Sequence, residues 1–93
     1  MDQSEIITPI IHPNGSGKRA LLDQLCTANR SVHNAMDALR QASPNGRDYY
    51  PDPGRLQKAE AQYRARMEHL EAVADSLVAE ADAIQTEYPN RNR

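Results

Sequence analysis

Apolar side chains recur along this chain in steps of four and three, in two long runs. Leu21, Leu25, Ala28, Val32, Ala35, Leu39 and Ala42 keep the step on the first run. On the second it is kept by Leu56, Tyr63, Met67, Leu70, Ala74, Leu77, Ala81, Ile84 and Tyr88, with one interruption at Glu60. A repeat of this kind puts its apolar members on one seam of an α-helix and matches no strand, whose faces alternate at every second residue. Between the runs lies Pro44-Asn-Gly-Arg-Asp-Tyr-Tyr-Pro-Asp-Pro-Gly54, a segment whose prolines and glycines forbid a continuous helix. The pattern predicts an all-α chain folded as an antiparallel two-helix hairpin with coiled-coil-like packing.

Local signals set the boundaries. Residues 1–15 carry Ile6, Ile7, Ile10 and Ile11 interspersed with Pro9 and Pro13, which suits neither a helix nor a regular strand and predicts an extended N-terminal arm. The hairpin then covers residues 16–88, with a first helix over about 17–43, a loop over 44–54 and a second helix over about 55–87. Ser16 or Asn14 is the expected cap of the first helix, Pro53-Gly54 opens the second, and Pro89 stops it ahead of a frayed tail, 89–93.

The second helix is the longer one, so its last turns overhang the first unless the arm covers them. Exposing an isoleucine costs about 1.5–3 kcal/mol relative to burying it, so the arm is expected to lie on its own hairpin or on a neighbouring subunit. Leu22, Cys26, Met36, Val73 and Val78 lie off the two seams and widen the apolar stripe beyond what one helix pair covers. A second copy of the chain would cover them and make a helical homo-oligomer; the alternative is that the arm covers them within a monomer.

Composition sharpens this picture. The chain has 93 residues, no Phe or Trp, four Tyr and one cysteine, Cys26, so one small domain is the ceiling and an internal disulfide is excluded. A core of this size contributes no more than roughly 3–5 kcal/mol by itself, which again favours self-association. No run reaches the roughly 20 apolar residues that cross a bilayer, and the acidic start Met-Asp-Gln-Ser-Glu lacks the basic beginning of a secretory signal; a cytoplasmic protein without membrane contact is expected.

The net charge of −2 hides an asymmetry. From residue 40 to 66, Arg40, Arg47, Arg55, Lys58, Arg64 and Arg66 outnumber Asp48, Asp52 and Glu60, whereas residues 67–90 carry Glu68, Glu71, Asp75, Glu80, Asp82 and Glu87 and no Lys or Arg. The loop end is basic and the open end acidic. Duplex DNA is an unfavourable partner for such a chain, because its acidic half repels the phosphates.

Candidate chemistry is confined to two places. Asn14-Gly-Ser-Gly-Lys-Arg19 joins flexible backbone to a helix start, where unpaired N–H groups favour an anion. It does not satisfy the nucleotide-hydrolysing phosphate-loop pattern, which would need Gly at His12 and Ser or Thr at Arg19. Lys18 could still hold one phosphate; alternatively, Lys18 and Arg19 face Glu80 and Asp82 of the returning helix. The second place is the loop, where Asn45, Arg47, Tyr49 and Tyr50 combine hydrogen-bonding, cationic and ring-stacking groups, with Arg40 near in sequence. Tyr rings stack on bases for roughly 1–3 kcal/mol each, and Arg grips phosphate or carboxylate in bidentate fashion. The alternative gives these residues a finishing role, with one Tyr plugging the hairpin end and Asp48 capping the second helix or pairing with Arg47.

His12, His33 and His69 share no metal-binding spacing, Cys26 has no neighbouring base, and the carboxylates of the second helix read as a solvated face. Neither a catalytic constellation, nor a metal site, nor a cofactor is expected.

The Pro-Asn-Gly-Arg-Asp-Tyr-Tyr-Pro string at 44–51, set between two long helices behind an Asn-Gly-Ser segment, resembles a set of small helical-hairpin proteins of bacteriophages and prophages. The resemblance spans roughly residues 12–85 and implies a phage origin and action in the host bacterial cytoplasm, but no functional residues. In architecture alone the chain is also similar to the anti-CBASS and anti-Thoeris sponges, small helical phage proteins that oligomerise and sequester nucleotide messengers of bacterial immunity. The function expected on these grounds is non-enzymatic sequestration of a cyclic oligonucleotide or cyclic ADP-ribose-type messenger, with Arg47, Lys18 and Arg40 on phosphates and Tyr49 or Tyr50 on a base. The alternative is an inhibitor or scaffold that docks a host or phage protein through its basic loop end.

Overall fold

The computed structural model describes residues 5–12 and 15–89. Two helices, α1 (Lys18–Gln41) and α2 (Pro53–Glu87), pack against each other and are joined through a short 3-10 helix, Gly46–Tyr49. Among the described residues there is no strand. The tail beyond residue 89, together with Pro13 and the capping candidate Asn14, lies outside the described residues.

Helix ends follow from local chemistry, with two corrections to expectation. The N-cap of α1 is Gly17 in an extended conformation, and no side chain caps the helix, so Ser16 does not perform that task. At the other end Ala42 and Ser43 donate their N–H groups to Leu39 and Arg40, closing the last turn two residues before Pro44 would have forced it to stop. The cap of α2 is Asp52 and not Asp48: its carboxylate accepts the Arg55 N–H at 3.1 Å, and Pro53 fills the first helical position, where a missing N–H costs nothing.

The described core is thin and consists of Met36, Ala74 and Ile84. Met36 was expected off the seam and Ala35 on it; the structure reverses them, with Met36 buried and Ala35 exposed. The cause is geometric. A straight α-helix drifts by about 20° per heptad, so by its fifth position a strict seven-residue repeat has rotated away from the partner, and the residue four after Val32 takes over. Asn29 lies on the same strip, four residues after Leu25 and seven before Met36, and its Oδ1 is buried without a hydrogen-bond partner.

Residues from the two helices meet in shallow grooves that fix the register. Leu22, Leu25, Cys26 and Asn29 share one with Leu77, Val78, Ala81 and Asp82, while Ala35, Ala38 and Leu39 share another with Arg66, His69 and Leu70. Across from Lys18 and Arg19 stands Gln85, about one helical turn beyond the Glu80 and Asp82 expected there.

The described part of the arm, 5–12, has no regular secondary structure and meets the end of α2. Thr8 Oγ1 donates to Glu87 Oε2 at 2.8 Å, and the Tyr88 hydroxyl donates to the Pro9 carbonyl at 3.4 Å. Ile84, one turn before Tyr88, has no exposed surface at all. A two-helix contact leaves the flanks of each helix open, so complete burial needs a third wall, and the arm is the segment beside it. The cover is partial, because Ile6 and Ile11 are half-buried while Ile7 and Ile10 remain 71% and 78% exposed. No helix is long and apolar enough to cross a membrane among the described residues.

Candidate functional site

The loop between the helices is rigidified by Asn45. Its side-chain oxygen accepts the N–H groups of Arg47 at 3.0 Å and Asp48 at 3.3 Å, and its Nδ2 donates to Asp48 Oδ2 at 2.9 Å. This is an Asx-type cap, the use for which Asn is favoured at a turn start, and it winds Gly46–Tyr49 into one 3-10 turn. The Asp52 N–H then donates to the Tyr49 carbonyl at 2.7 Å, tying the turn to the α2 cap, and the Tyr50–Pro51 peptide is cis. The Asn45 side chain thus bonds Arg47 and Asp48 within the loop. Asp48 neither caps α2 nor pairs with Arg47.

The two tyrosines separate cleanly. Tyr49 is half-buried, as the end-plugging alternative requires, whereas Tyr50 is 86% exposed. Tyr50 stands between two open hollows. One, of about 590 Å³, is lined by Asn45, Gly46, Arg47 and Tyr50; the other, of about 320 Å³, by Tyr49, Tyr50, Pro51, Pro53 and Leu56, with Gly46 and Asp52 at its edge. Among the described residues no carboxylate pairs with the Arg47 guanidinium. Arg55, by contrast, lies 3.9 Å from Asp52 Oδ2, and Arg40 is held by Asp37 on the exposed face of α1. The tip therefore offers a guanidinium without an ion-pair partner among the described residues and one exposed ring on the walls of a single hollow.

Lys18 and Arg40 do not join them within one chain. Lys18 lines a cavity of about 400 Å³ with Arg19, Leu22, Asp23 and Gln85, at the far end of α1. At about 1.5 Å per residue the length of α1 alone separates it from the loop by roughly 35 Å. A site containing both Lys18 and Arg47 would have to be completed by another copy.

No cluster of His, Cys, Asp and Glu suited to a metal ion occurs among the described residues. The chain matches no family model, no curated protein and no solved structure.

Proposed function

We propose that this chain is a non-enzymatic binding protein of phage origin, an antiparallel hairpin that associates with its own copies and holds a nucleotide immune messenger at its loop tip. The observation that carries this reading is the placement of the Arg47 guanidinium and the exposed Tyr50 ring on one hollow. An anionic ligand bearing a flat ring uses both groups at once: the guanidinium takes a phosphate and the ring stacks on a base. The groove pairings, early α1 with late α2 and late α1 with early α2, support the antiparallel course. A cytoplasmic, sequestering role rests on the resemblance of the 44–51 string and on the sponge-like architecture.

Native mass spectrometry and a melting assay with cyclic dinucleotides, cyclic trinucleotides and cyclic ADP-ribose isomers test the proposal. Ligand mass on the wild-type chain, a raised melting temperature, and loss of both in Arg47→Ala and Tyr50→Ala with unchanged helicity are the expected results. Indifference to the whole panel overturns the messenger reading. The second reading, docking of an acidic protein surface, is favoured by the openness of both hollows at a basic tip, and it predicts capture of a host or phage protein that Arg47→Ala abolishes.

A further inference from the structure

The groove that Leu22, Cys26 and Asn29 of α1 share with Val78 and Ala81 of α2 runs along the flank of the helix pair. We infer that a second copy of the chain packs on the face formed by Leu22, Cys26, Asn29, Val78 and Ala81, in the opposed orientation, with the loop tip of one copy beside the open end of the other. This gives the association assumed under the proposed function a face and a direction, and it rests on that part of the reading alone.

Apolar surface identifies the face. Val78 is 48% exposed and Cys26 is exposed, yet both lie in a groove whose other walls are Leu22, Leu25, Leu77 and Ala81, with Asn29 and Asp82 as its polar members. Such a strip on the flank of a helix pair is what a third and fourth helix cover in a bundle.

The rod exposes more surface than a compact chain of its mass. A folded monomer of 10.4 kDa exposes about 5,400 Å² by the usual scaling with mass, whereas this rod of 67 × 24 × 22 Å exposes 7402 Å². A stable interface of standard size takes about 800 Å² per partner, less than half of that excess.

Charge selects the direction. In a parallel pairing the open ends, where Asp75, Glu80, Asp82 and Glu87 outnumber Lys18 and Arg19, meet each other. The opposed pairing sets each acidic open end beside the loop half of the other copy, which carries Arg47, Arg55, Lys58, Arg64 and Arg66 among its charges, and like charges brought together across an interface are penalised. The groove suits a two-fold axis normal to the rod, because Cys26 and Val78 lie within about 5 Å along the axis of the middle of the paired region. An isologous contact of this kind closes as a dimer.

The sole cysteine reports on the face directly. The test follows native mass against concentration together with the rate at which a maleimide reagent labels Cys26, in the full chain and in Val78→Asp. The expected result is a species of twice 10.4 kDa in which labelling slows by about tenfold or more as dimer forms. Val78→Asp, a change at a position already half-exposed in the single chain, then gives a helical monomer with rapid labelling. Spin labels placed at the tip through Cys26→Ser with Gln57→Cys should lie about 50 Å apart or more in the opposed dimer.

A dimer whose Cys26 labels at the monomer rate overturns the face, and short tip-to-tip distances overturn the direction; both leave messenger binding standing. A monomer at every concentration overturns this inference and the association, while the Tyr50→Ala binding assay decides the ligand question separately.

Discussion

Replacing Ile84 by alanine should nearly unfold this protein, although the residue lies four positions from the end of a helix. Ile84 is fully buried, one turn before Tyr88, whose hydroxyl donates to the arm at Pro9. Truncating a buried isoleucine to alanine costs about 2–5 kcal/mol, the spread reflecting how far the surroundings collapse into the cavity. Here the thin end of the hairpin could follow inward, which favours the lower half of that range, about 2–3.5 kcal/mol. A domain of this size contributes about 3–5 kcal/mol from its own core, so the loss consumes most of the margin. At about 4–8 °C per kcal/mol, the melting temperature should fall by about 8–28 °C.

Urea titration and thermal melts followed by far-UV circular dichroism measure the loss, at one fixed protein concentration because association adds stability. Ile10→Ala is the matched control, the same chemical change at a side chain that is 78% exposed, and should stay within about 0.5 kcal/mol of the parent. Equal losses in the two variants would refute the argument, since burial would then not decide the cost.

Two further substitutions probe local features. Asn29→Leu removes a buried amide oxygen that has no partner and should raise stability by about 1–3 kcal/mol, read as an increased melting temperature; a decrease would mean that the amide is satisfied in solution. Asp52→Ala deletes the cap that accepts the Arg55 N–H and should cost about 0.5–2 kcal/mol in urea titration, whereas Asp48→Ala, which leaves the α2 cap intact, should not fray the start of α2 in amide exchange.

Much of the fold was legible because it is local. The step of four and three announced two helices, Pro53 marked the start of α2, and Pro44 and Pro89 bounded the helices, since proline and helix periodicity act within one or two turns. The exchange of Ala35 for Met36 was not legible to a repeat counted in sevens, because it depends on how far a straight helix of 3.6 residues per turn rotates before its partner ends.

The site divides in the same way. The loop's residue types marked it as the place where chemistry gathers, and they named Arg47 and Tyr50 correctly as neighbours. They also named Asn45, which lines the same hollow while its oxygen accepts two backbone N–H groups, and Lys18, which the structure places at the other end of the rod. An Asx turn could have been suspected from Asn45 standing directly before Gly46, and the α2 cap from Asp52 standing directly before Pro53.

The sequence by itself determined the helices, their stops, the basic tip and the acidic open end, because propensity, periodicity and formal charge belong to residues and their near neighbours. Only the tertiary structure decided which apolar residues are core, that the Arg47 guanidinium has no ion-pair partner among the described residues, and that Tyr49 is tucked in while Tyr50 stands out. Those outcomes depend on what the chain brings back from far along its length, as Pro9 and Tyr88 do across 79 positions.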